Sequence, residues 1–161
     1  MTDNASRFWR RSLKALHEIG ALGLGGGFAA CLVINLKARS ATPEAFIAGR
    51  EAFTAIADYL LFPSLGLVIL SGLLSIAATR AFHDAGWAWV KGLLGISLFE
   101  ATLMTIGAGR RQAELAASVA DPALMNQLLQ AERNTLLALA AICIVNVVLA
   151  VWRPSLMVKI R

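Results

Sequence analysis

Apolar positions along the chain fall in four long, nearly unbroken runs, near Ala15–Leu36, Ile56–Ala78, Trp87–Gly109 and Leu136–Trp152. They show neither the period-2 alternation of a half-buried strand nor the 3.6-residue stripe of a soluble helix. A helix rises about 1.5 Å per residue, so roughly 20 apolar residues cross a hydrocarbon core about 30 Å thick. The pattern therefore predicts an all-α, four-helix transmembrane bundle that takes up residues 1–161 as one domain. The links between runs hold local signals of their own. Thr42-Pro43-Glu44 reads as an N-cap, a proline at the first helical position and an acidic first turn. Residues 110–135 read as the end of the third helix, a break at Asp121-Pro122, and the start of the fourth. Together these segments predict short helical extensions on the side of the membrane away from the N-terminus.

Composition agrees with a lipid environment: 58% of the 161 residues are hydrophobic and only 16% are charged. The net charge of +5 does not point to nucleic acid, because the basic residues are scattered along helix ends with no basic stripe. Topology accounts for them. Arg7, Arg10, Arg11 and Lys14 precede the first run, Arg80 and Lys91 flank the second link, and Arg153, Lys159 and Arg161 end the chain. These nine lie on one side and the remaining six on the other, which by the positive-inside rule puts both termini in the cytoplasm. Trp9, Trp87, Trp89 and Trp152 fall on that same side, as an interfacial aromatic belt would. The sequence contains no phosphate-cradling glycine motif, Ser/His/Asp arrangement, metal-ligand cluster or internal repeat.

Candidate chemistry lies in the polar residues within the runs. Lys91 and Glu100 occupy the third, where an ionisable group costs on the order of 2.5–3.5 kcal/mol on insertion scales. Nine residues apart, they lie on opposite helix faces and about 13.5 Å apart along the axis, so they cannot pair. Lys91 can snorkel to the interface. Glu100 must be protonated, hydrogen-bonded within the bundle, or turned toward another subunit. If Lys91 faces the interior, Glu100 faces a partner, either a second copy or another membrane subunit.

In the first run Gly20, Gly23, Gly27, Ala30 and Ile34 share a broad face, a small-residue surface for close helix packing. The alternative is room for a flat ligand beside His17. That histidine, about one turn inside the membrane boundary, is either an interfacial hydrogen-bonding residue or a ligand. Asp58 is either solvated at the outer interface or the acidic mouth of a cavity. Pro63 should kink the second helix. Asn146 reads as interhelical glue. Cys31 and Cys143 are expected about 10 Å apart in depth, too far for a disulfide, and read as small core residues.

Two segments resemble a known family. Leu13-Lys14-Ala15-Leu16-His17 ahead of a glycine-rich span, and Gly86-Trp87-x-x-Val90-Lys91 opening another span that leads to Arg110-Arg111, are similar to the group around HemJ-type protoporphyrinogen oxidase, the CopD-like copper-resistance domain and uncharacterised relatives. The stretch from Pro63-Ser64-Leu65-Gly66 to Ser71-Gly72 resembles the second helix of that group. The resemblance implies a small four-helix protein of the bacterial inner membrane. For the HemJ branch it also implies b-type haem or a porphyrin near His17, which would be the metal ligand, with Lys91 close by. Where other members carry a further histidine along the third helix, this chain has Phe99, Glu100 and Thr102, which moves it toward the uncharacterised relatives. His83 is the only other histidine. The competing expectation is a non-catalytic accessory or anchor subunit that contacts a larger complex through Glu100.

Overall fold

The computed structural model describes residues 3–78, 86–118 and 122–152, all helical apart from the short link after residue 38. Four helices make an up-down-up-down bundle: α1 (Asp3–Ala38), α2 (Pro43–Ala78), α3 (Gly86–Ser118) and α4 (Pro122–Trp152). No strand occurs among the described residues. α1 packs against α2 and α4, and α3 packs against the same two, so α1 and α3 sit at opposite corners of a square.

Local sequence explains how the helices begin and pack. Thr42 caps α2 as expected, its hydroxyl accepting from the Ala45 N–H at 3.3 Å, with Pro43 next in line. The α1–α2 seam is the tightest contact, and glycine makes it possible. A Cβ at Gly20 would stand 2.9 Å from the Ser64 carbonyl oxygen, one at Gly23 would run into the Ser64 hydroxyl, and one at Gly27 would stand 2.5 Å from Leu61 Cδ2. The glycine face of the first run is thus a packing face, filled by α2.

Pro63 does not act alone on α2. The five residues before it that matter, Ala57–Leu61 with Phe62 closing the turn, form a π-turn in which the Phe62 N–H reaches back to the Ala57 carbonyl. The core positions Phe53, Ala57, Leu61 and Leu65 recur every four residues, which in an α-helix drifts by about 40° per step. A wider turn takes up that drift and keeps all four residues on one face.

Leu24, Phe28, Leu61, Leu65, Leu98, Leu136 and Leu139 form the central core, with Cys31 and Ala57 filling its narrow places. Outside the core the bundle is apolar as well. Leu22, Met104, Val151 and Trp152 all point outward, and only 11–33% of the residues in the most apolar windows of α1, α2 and α4 are buried. Those three helices are long and apolar enough to cross a membrane. Continuous exposed apolar surface of this kind suits lipid and not water. α3 runs alongside them. Within its expected span 87–109, the side chains at 87, 88, 105, 106, 108 and 109 lie outside the described set.

A candidate ligand cavity and a buried ion pair

At the end of the bundle where α1 begins, the four helices part around a cavity of about 640 Å³, within the 300–1,000 Å³ range of small-molecule sites. α1 contributes His17 and Glu18, with Lys14 and Arg10 about one and two turns earlier. α3 contributes Lys91, and α4 contributes Asn146 and Cys143. Val68, Ile69, Leu73, Ile96 and Val147 make most of the remaining wall apolar. Three of the residues singled out from sequence, His17, Lys91 and Asn146, therefore meet in one place.

His17 is held in a defined way. Its Nδ1 lies 3.1 Å from the Val68 carbonyl oxygen and 3.2 Å from Ser71 Oγ. A carbonyl only accepts, so Nδ1 carries the proton and Nε2 is the lone-pair nitrogen of the neutral ring. Ser71 in turn donates back to its own helix, at the Leu67 carbonyl. A histidine whose Nδ1–H is tied to a backbone carbonyl is oriented as metal-ligating histidines usually are. Lys91 and Glu18 are the charged groups within electrostatic reach of the ring.

The room in this cavity does not come from the glycine face of α1. Gly92 and Gly95 on α3 create it, since a Cβ at either would meet nothing within 4 Å. Gly72 on α2 lies against the His17 ring, where a Cβ would be in ordinary contact, 3.6 Å from Cε1. Asn146 lines the cavity, and among the described residues its Nδ2 donates within its own helix, to the Ile142 carbonyl at 3.1 Å.

Asp58 and Glu100 are elsewhere. Asp58 is half-buried in the π-turn and does not line the cavity. Glu100 is exposed on the outer side of α3, opposite the face that carries Lys91. Both cysteines are free thiols, Cys31 buried in the core and Cys143 on the cavity wall. His83 and the side chains of Arg110 and Arg111 lie outside the described residues. Among the described residues, no group of three or more His, Cys, Asp or Glu side chains is arranged to hold a metal ion.

The far end of the bundle holds a second polar site, in the helical extensions beyond the apolar runs, that the sequence did not single out. Arg50 of α2 and Glu132 of α4 meet inside the protein, with Nη1 at 2.8 Å from Oε2 and 3.0 Å from Oε1. Asn35 of α1 completes the network, donating from Nδ2 to Glu132 Oε2 at 2.9 Å and to the Leu129 carbonyl at 3.0 Å. Phe53 and Phe46 flank the guanidinium, with ring centroids at 4.9 and 5.7 Å. Nε and Nη2 of Arg50 are buried without a hydrogen-bond partner among the described residues. The pair joins helices on opposite corners of the square. Between it and the cavity lies the apolar core.

The fold and these two sites define the protein as a helical membrane-type bundle with a polar-rimmed cavity toward one end and a buried ion pair toward the other. Comparison with protein-family models, with curated proteins and with solved structures returns no match.

Proposed function

We propose that the protein binds a flat, anionic amphiphile, b-type haem or another porphyrin, in the cavity beside His17. One observation carries this reading: a histidine oriented through Nδ1 stands in the wall of an apolar cavity that has cationic residues around it. Haem would supply one-electron chemistry when bound, and His17 Nε2, the nitrogen left with a lone pair, would be the atom that holds it. Arg10, Lys14 and Lys91 offer positive charge to carboxylates, and Gly92 and Gly95 leave a wall bare enough for a planar ring. The resemblance to the HemJ- and CopD-like group supports the same assignment of His17 and Lys91.

The chain is further inferred to lie in a bacterial inner membrane with both termini in the cytoplasm. The nine-to-six split of basic residues and the placement of the four tryptophans support that orientation. The cavity would then open toward the cytoplasmic interface.

The test is a visible absorption spectrum of detergent-purified protein, oxidised and dithionite-reduced, beside His17→Ala. The expected result is a Soret band with a reduced α-band that the variant loses while its helical circular dichroism is unchanged. A featureless spectrum that stays so when cells are fed a haem precursor refutes the proposal.

A further inference from the structure

α3 carries two stripes on opposite faces. Lys91, Gly95, Leu98 and Thr102, spaced 4-3-4, face the bundle: the first two line the cavity, and Leu98 and Thr102 are buried. Val90, Leu93, Ser97, Glu100 and Met104, spaced 3-4-3-4, are exposed throughout. That alternation of three and four is the spacing of a helix–helix seam. The inner stripe already serves as one, whereas the outer stripe has no neighbour among the described residues. Small and polar residues drive helix association in lipid, and Glu100 stands at the middle of the outer stripe with Ser97 one turn away.

An apolar solvent offers nothing to a carboxyl group, so Glu100 needs a partner that donates and accepts hydrogen bonds. A neutral carboxylic acid does both and is its own complement. A two-fold axis along the membrane normal places every residue of one copy at the depth of the same residue in the other. It would set Glu100 against Glu100 and Ser97 against Ser97 without any further adjustment. The described Lys and Arg side chains provide no comparable partner in a second copy. Arg50 is committed to Glu132, Lys91 lies on the cavity wall, and the others lie outside the four apolar runs. We propose that the protein forms a parallel homodimer through the outer stripe of α3, with paired Glu100 carboxyl groups at its centre. This inference does not depend on the porphyrin reading.

The experiment is single-molecule photobleaching of labelled protein in liposomes across a series of protein-to-lipid ratios, with a cross-linking control. The expected result is a wild-type monomer–dimer equilibrium that Glu100→Gln, which still donates and accepts, leaves nearly unchanged. Glu100→Leu should raise the dissociation constant by about tenfold, as the loss of an intramembrane hydrogen-bonded pair would. In a chain carrying Cys31→Ala and Cys143→Ala, Ser97→Cys should form a disulfide-linked dimer, while Leu22→Cys on the exposed face of α1 should not. Monomers at every ratio would overturn the proposal, including the case in which Glu100 serves a different protein. So would dimers indifferent to Glu100→Leu, or cross-linking as efficient from Leu22→Cys as from Ser97→Cys.

Discussion

Removing one member of the Arg50–Glu132 pair should be far more damaging than removing both. With Glu132→Leu, the Arg50 guanidinium loses both of its hydrogen bonds while Nε and Nη2 already lack partners, so a full charge stays inside the bundle with only the Phe46 and Phe53 rings around it. With Arg50→Met, the carboxylate keeps a single bond, from Asn35. Breaking a buried pair in this way costs about 3–5 kcal/mol. In a chain of this size, 1 kcal/mol moves a melting temperature by about 2–4 °C, so each single variant should melt roughly 6–20 °C lower. The double variant Arg50→Met/Glu132→Leu removes both charges and fills the space with carbon, and should lie within about 1 kcal/mol of wild type or be more stable. The assay is thermal unfolding in detergent of the four proteins of the cycle, read by circular dichroism. The coupling between the two positions should be several kcal/mol. Single variants that cost less than about 1 kcal/mol, or a double variant as unstable as the sum of the two, would refute a buried, mutually dependent pair.

Three further outcomes follow from the glycines. Gly23→Ala should destabilise the bundle by about 1–3 kcal/mol through overpacking, and Ser64→Gly should recover most of that loss, because the new methyl group collides with the Ser64 side chain. Gly26→Ala, whose Cβ meets nothing within 4 Å, should instead gain about 0.5–1 kcal/mol in thermal or denaturant unfolding from helix propensity. At the cavity, Gly95→Leu has open space for its Cβ and should fold with an unchanged melting temperature while filling the wall opposite His17. Porphyrin titration followed by absorbance should show it binding weakly or not at all, and binding as tight as wild type would place the ligand elsewhere.

Much of the bundle was legible because lipid-crossing helices announce themselves by length. Gly20, Gly23 and Gly27 were readable as a packing face since a 100° step per residue sets them together. The opposition of Lys91 and Glu100 came from the same arithmetic. Arg50 and Glu132 were missed for a physical reason. They lie just beyond the apolar runs, where charges ordinarily meet water, and their helices continue to pack past those runs. Their contact joins positions 82 residues apart across a diagonal, which no local pattern encodes. A signal existed nonetheless. Leu129, Glu132, Leu136 and Leu139 follow the 3-4-3 spacing of a buried seam, so Glu132 occupies a core position in sequence too. The cavity was half legible: His17 and Lys91 were found, but Gly92 and Gly95 sit among other small residues, and only the path of the neighbouring helices shows which glycines face empty space. Likewise Pro63 signalled a disturbance in α2, while the four-residue recurrence of Phe53, Ala57, Leu61 and Leu65 determined its form.

The diagonal pair also makes the bundle mechanically lopsided. Arg50, Glu132 and Asn35 pin α1, α2 and α4 together at one end, whereas at the other His17 ties α1 to α2 and the cavity lies between that pair and the other two helices. A clamp at one end of long rods acts as a fulcrum, and a small tilt of α4 there becomes a larger displacement at its far tip. A bulky guest could therefore enter by a slight spreading of the tips, with no loss of contact in the apolar core. Loosening the clamp should change how quickly the cavity admits and releases its guest, even though the two sites share no residue.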